Sequence, residues 1–113
     1  MQTEAGKKLT IFTSEARRYE HRPLYEAIID ELRRAGINTV SVTRGIAGFG
    51  SAGLIHTWTI EVLSYNLPIT IEATDTAERV DRVLPAIAER AIGALVNVTP
   101  VQIVRRRAES DDA

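Results

Sequence analysis

Four of the chain's seven glycines, Gly45, Gly48, Gly50 and Gly53, fall within nine residues of RGIAGFGSAGLIHT (44–57). Glycines at that density let backbone approach a phosphate closely, and Gly48, Gly50 and Gly53 match the GxGxxG dinucleotide fingerprint letter for letter. That chemistry needs a helix directly after the third glycine, so that the pyrophosphate rests on its N-terminus. The residues that follow, HTWTIEVLS (56–64), are dense in Thr, Ile, Val and Trp and read as extended, although Leu54, Trp58 and Val62 would also suit one helical stripe. The dinucleotide reading is therefore set aside, and Glu72 as its ribose ligand would be coincidence. A Walker loop fails because no Lys-Ser or Lys-Thr follows a glycine. Two readings remain: a hairpin tip whose glycines permit positive φ, and a binding loop. The connection of about 20 residues from Gly45 to Leu67 is long for a hairpin, and long loops tend to carry function.

Other groups offer less. His21 and His56 are the only histidines and there is no cysteine, so a metal site would need both histidines and added carboxylates, and no local metal spacing is present. His56, beside Thr57, is read as an anchor of the loop or a contact to a ligand. Ser14, Ser41, Ser51 and Ser64 lack a nucleophile elbow, and the carboxylates fall mostly on helical faces, so nothing points to an enzyme. The segment ARRYEHR, with Arg17, Arg18, Tyr19 and Arg22, is read as a solvated loop in preference to the lining of an anionic cleft. Trp58 is read as an interface residue; Tyr65 could dock a partner or pack.

The elements that must position these residues follow from periodicity. At 113 residues one domain is expected, with 1–7 and 108–113 flexible. A net charge of -1 gives no general pull towards nucleic acid or acidic lipid. Without an apolar leader, a membrane span or cysteine, the expected setting is cytoplasmic. KLTIFTS (8–14) alternates as a strand. Pro23 stands ahead of a helix carrying Leu24, Ile28, Leu32 and Ala35 at helical spacing, with Gly36 as its left-handed end. INTVSVTR (37–44) and ITIEA (69–73) alternate as strands. A second helix opens on Asp75 with Glu78 three residues on, shows Val80, Val83, Leu84, Ile87 and Ala91 on one face, and is expected to kink or break at Asp81 to Leu84 because of Pro85. ALVNVTPVQIVRR (94–106) is a last strand, expected to be interrupted at Pro100.

The order β-α-β-β-α-β predicts an α+β, ferredoxin-like fold: a four-stranded antiparallel sheet with two helices on one face. The other face is expected to carry Phe12, Thr39, Ser41, Thr70 and Val104, too apolar for water and too polar for a deep core, which predicts a closed oligomer.

The motifs GKKLTIF, RPLYEAIIDELRRAGI, VTRGIAGFG, IHT, LPITIEATDT and the Leu84-Pro85 pair resemble the PII-like proteins of domain-of-unknown-function family one-ninety, over about Gly6 to Arg106. The family is similar to PII signalling proteins. The resemblance implies a homotrimer, nucleotide clefts between subunits, a mobile loop (45–67) docking on a partner such as a membrane transporter, and non-catalytic sensing of a small anion, an adenine nucleotide. It implies Gly45, Gly53 and Pro68 as hinges of that loop, Gly48, Gly50, Ser51 and His56 as ligand contacts, and Arg105, Arg106 and Arg107 as the anion side. One departure stands out: where PII proteins carry a second glycine-rich segment with a lysine, AIGALVNV (91–98) has Gly93 alone and no lysine. Loss of nucleotide binding, leaving an interaction module, and an inter-subunit metal site resembling copper-tolerance proteins are the competing readings.

Overall fold

The computed structural model describes residues 1–50, 53–55 and 66–105. Among the described residues, eight strands and two helices run in the order β1 (Gln2–Ser14), β2 (Arg18–Tyr19), β3 (Arg22–Pro23), α1 (Leu24–Arg34), β4 (Thr39–Arg44), β5 (Gly48–Gly50), β6 (Gly53–Ile55), β7 (Pro68–Thr76), α2 (Ala77–Arg90) and β8 (Leu95–Arg105). The long strands form one antiparallel sheet in the order β4-β7-β1-β8. With α1 and α2 packed on one face, this is the expected ferredoxin-like arrangement.

The core is where the two periodicities meet. Leu9, Ile11, Ile69, Ile71 and Ala73 point from the sheet to Leu24, Ile28 and Leu32 of α1 and to Val80, Val83 and Ile87 of α2, all buried in one cluster. Each full burial of such a side chain contributes about 1.5–3 kcal/mol. α1 ends as its sequence predicts: Gly36 takes φ +80, its N–H donates to the Arg33 carbonyl, and the Ile37 N–H donates to that of Leu32. This is a Schellman end, closed by the buried Ile37–Leu32 pair.

Several expectations need correction. Residues 2–7 are not a loose lead: they extend β1 along β8, Gln2 opposite Arg105, with Arg105 Nε donating to Glu4 at 2.9 Å. Of the kink or break expected at Pro85, the break does not occur, since α2 continues through it as one element. The lost hydrogen bond costs about 3 kcal/mol, and Val80, Val83 and Ile87, buried on both sides of the proline, offset it. β8 is likewise continuous through Pro100, because an edge strand tolerates a residue with no N–H. The cap of α2 lies one residue later than the Asp75–Glu78 reading places it: Thr76 Oγ1 accepts the Arg79 N–H at 3.3 Å, and Asp75 is a buried strand residue. ARRYEHR is not a plain loop. Arg18 pairs with Pro23 and Tyr19 with Arg22 in a small hairpin, turned at Glu20 with φ +56.

The ladders keep one register without a bulge, so strand alternation fixes the open face. Phe12, Thr39, Ser41 and Thr70 lie there as expected. Val104 does not, because it pairs with Thr3, on the side of Leu9 and Ile11. Leu95, opposite Phe12, takes its place, and the pair is 59% and 42% exposed, an apolar step on an otherwise threonine-rich surface.

Candidate functional site

One end of the sheet gathers the start of the glycine segment, its exit and an arginine hairpin. β4 ends at Arg44 opposite Ile69, and β1 ends with Ser14 opposite Pro68. The Gly45 N–H donates to the Pro68 carbonyl at 2.8 Å. A Cβ on Gly45 would lie 2.8 Å from Pro68 Cγ, and one on Gly48 3.4 Å from it, so Gly45 is required by close approach to the proline ring. β5 and β6 then pair antiparallel, Gly48 opposite Ile55 and Gly50 opposite Gly53. A strand therefore stands after Gly53 where a dinucleotide fold needs a helix, and that fingerprint is excluded.

Glu15, which the sequence gave no reason to single out, ties this end together. Its Oε2 accepts from Arg44 Nη1 at 3.0 Å, its Oε1 accepts the Leu67 N–H at 3.0 Å, and its own N–H donates to the Leu67 carbonyl at 2.9 Å. One mostly buried carboxylate thus holds both ends of the 45–67 segment. Glu15→Ala is expected to cost about 1–2 kcal/mol, the worth of charge-assisted bonds to a part-buried amide, and to speed hydrogen exchange at the Leu67 amide. Exchange unchanged from wild type would refute the clamp.

Beside the clamp, Arg17, just before the β2–β3 hairpin, lies against Gly93 in the α2–β8 turn, and Arg90 of α2 stands over the Tyr19 ring of the hairpin at 5.7 Å. Arg90 also bridges Glu31 at 3.0 Å and donates to the Ala86 carbonyl, closing the end of α2.

Arg105 is not in this gathering. β1 sets Ser14 against Pro68 at one end and Gln2 against Arg105 at the other, about 40 Å apart at roughly 3.3 Å per residue. Arg105 lines an open groove of about 700 Å³ with Glu4, Asn38, Thr76, Arg79 and Arg82. Its cations are already matched: Arg82 to Glu78 at 2.6 Å, Arg79 to Asp75 at 3.5 Å, Arg105 to Glu4 at 2.9 Å. Burial pushes the Asp75 carboxyl upward, but the N–H groups of Asn38 and Thr76, with the charges of Arg79 and Arg105, outweigh it and hold the group below the ordinary 3.8.

Gly48 and Gly50, expected as ligand contacts, and Gly45, Gly53 and Pro68, expected as hinges, thus lie at one end of the sheet, and Arg105 lies at the other. Ser51, His56, Arg106 and Arg107, like Trp58, Tyr65 and the extended reading of 56–64, lie outside the described residues. Among the described residues no group of three or more His, Asp or Glu could hold a metal ion.

A family model described as Uncharacterized ACR, for domain-of-unknown-function family one-ninety, matches residues 6–103. The chain belongs to this family. Family one-ninety relatives include a UPF0166 protein of Methanocaldococcus jannaschii, 39% identical over 84 residues, 74% of this chain and 77% of the relative. A UPF0166 protein of Aquifex aeolicus is 30% identical over 104 residues, 92% of this chain and 98% of the relative. Among solved structures, CPII of Thiomonas intermedia K12, a nitrogen regulatory PII-like protein bound to ADP, AMP and bicarbonate, superposes with a TM-score of 0.70 at 24% identity, covering 92% of each chain. At that identity the likeness shows the fold, which in this family one-ninety chain is PII-like.

Proposed function

We propose that this chain is a non-catalytic, cytoplasmic PII-like regulatory protein. It binds a small anion, an adenine nucleotide, in clefts between the subunits of a homotrimer, and presents residues 45–67 to a partner protein such as a membrane transporter. The observation that carries this reading is the Glu15 clamp, which ties the start and exit of the glycine segment beside a cationic hairpin. A long segment held at both ends is suited to offering alternative conformations to a partner according to ligand. The separation of Arg105 from the loop end supports assembly, since the two ends can share a ligand only across a subunit boundary. The exposed Phe12–Leu95 pair supports it independently. Among the described residues no helix is long and apolar enough to cross a membrane, so an encounter with a transporter would run through the loop.

The protein with ATP, ADP, AMP or adenosine in a thermal melt tests the ligand, and light scattering tests the assembly. A nucleotide bound only by the folded state at 100 times its Kd stabilises by about 2.7 kcal/mol and raises the melting temperature. A monomeric mass, or a melting temperature indifferent to every nucleotide, would overturn the corresponding half of the proposal. The paired arginines of the groove favour a second reading if nucleotides fail: an interaction module that presents the loop without a nucleotide.

A further inference from the structure

The end of the sheet away from the loop holds a notch between two elements. β1 and β7 pair as far as Gly6 and Thr76, where β7 gives way to α2, whereas β1 and β8 run on together to Gln2 and Arg105. Residues 2–5 and 102–105 therefore project as a two-stranded ribbon beside the first turns of α2, and the open groove of about 700 Å³ lies between ribbon and helix. Over Gln2 to Ala5 the β1 edge that β7 leaves meets no strand among the described residues, so it offers main-chain donors and acceptors to an extended segment.

Arg79 and Arg82 of α2 and Arg105 of β8 line this groove with Glu4 and Glu78. Their ion pairs leave most of their bonding capacity unused. Each arginine is about half exposed, and each is joined to its carboxylate by one contact, whereas a guanidinium carries five donors. Ion pairs at such exposure hold weakly and are readily exchanged for others. The rim thus suits an extended segment bearing several carboxylates.

Such a segment begins where the groove does. β8 ends at Arg105, itself a lining residue, and the sequence continues RRAESDDA (106–113). Glu109, Asp111 and Asp112 place three carboxylates within four positions. Eight residues reach about 26 Å when extended, and the rise along α2 from Thr76 to Arg82 is only about 9 Å. A short tether also holds the segment at a high effective concentration, so weak contacts suffice.

We propose that residues 108–113 dock as an acidic strap in the groove of their own subunit, with Glu109, Asp111 and Asp112 against Arg79, Arg82 and Arg105. An acidic peptide of another protein has to displace the strap to reach these arginines. The inference stands apart from the nucleotide reading above.

The chain has no cysteine, so Ser110→Cys takes a nitroxide label at one position. Paramagnetic broadening of the backbone amide signals of the full chain then maps the strap. It is compared with the same chain carrying Glu109→Gln, Asp111→Asn and Asp112→Asn together, and with Arg82→Gln. The expected result at low salt is broadening at the amides of Ala77 to Arg82 and of Glu4 and Ala5. Neutralising the three carboxylates is expected to lower the docked population about eightfold, as three exposed contacts of about twofold each predict, and Arg82→Gln about twofold. Salt at about 1 M, which screens beyond about 3 Å, should act like the triple variant. Broadening that is equal with and without the tail charges would come from the tether alone and would overturn the proposal, as would its absence at the groove. A mixture of nitroxide-bearing chains with isotope-enriched, nitroxide-free chains separates the copies: groove broadening that arises only from a neighbour's nitroxide overturns docking on the strap's own subunit. If Arg82→Gln does not fold, the triple variant decides, because it alters no residue of the described fold.

Discussion

Asp75→Ala is expected to destabilise the protein by about 2–3 kcal/mol, because it strips acceptors from buried or part-buried amides. The Asp75 carboxylate is 2% exposed, accepts the Asn38 N–H at 2.9 Å and the Thr76 N–H at 2.7 Å, and faces Arg79 at 3.5 Å. It therefore joins the approach to β4, the end of β7 and the start of α2 at one carboxyl. The same group sets part of the response to acid. Its folded value lies below 3.8, so folded chains stay ionised where unfolded chains take up a proton. The resulting stabilisation is fully present above the unfolded value and is lost as pH falls through the folded one. Asp30, drawn down by its hydrogen bond to Arg22, titrates in the same direction from an exposed position. Denaturant unfolding at pH 7 and along a series below pH 4 checks both parts. Asp75→Asn should flatten the acid limb, and a variant with wild-type stability at pH 7 would show the amide bonds to be dispensable.

Gly6→Val should be comparably damaging, at about 3 kcal/mol, the upper end for overpacking a close-packed site. Gly6 lies in β1 between Thr76 and Val101, and a Cβ there would fall 2.5 Å from Ile103 Cδ1 and 2.9 Å from the Asp75 carbonyl oxygen. The isoleucine tip can swing away, but the carbonyl belongs to the neighbouring strand and cannot. Adding Ile103→Ala should therefore recover only part of the loss. Full recovery in the double variant would mean that backbone crowding contributes nothing, and a Gly6→Val protein as stable as wild type would contradict the packing outright. β-branched residues otherwise favour strands, so the sign of this effect separates crowding from propensity.

How much of this was legible in the sequence depended on how local each cause is. The α1 stripe, its Gly36 end and the alternation of β4 and β7 are set by neighbours within a few residues, and they stand as read. The TDT of residues 74–76 offers two cap-forming residues in succession, and only the burial of Asp75 against Asn38, 37 residues away, passes the cap to Thr76. Residues 2–7 look like a polar lead because their partner strand lies about a hundred residues on, and no periodicity reports a pairing that distant. Val104 falls on the helix side and not on the open face for the same reason: its side follows from register, which the chain shows only when paired. For the site, the glycine cluster announced the loop but not why Gly45 is needed, since Pro68 is the group it must approach. Glu15 and Arg17 carried no motif, because their meaning lies in what stands opposite them after folding.

The unbroken ladders on both sides of β1 limit how the molecule can relay information. Slipping β1 by one residue would turn Leu9 and Ile11 out of the core and Phe12 into it, so translation in register is closed as a switching mode. With Gln2 paired to Arg105 at one end and Ser14 to Pro68 at the other, a change of state has to leave β1 in place and be confined to the segments that leave the sheet.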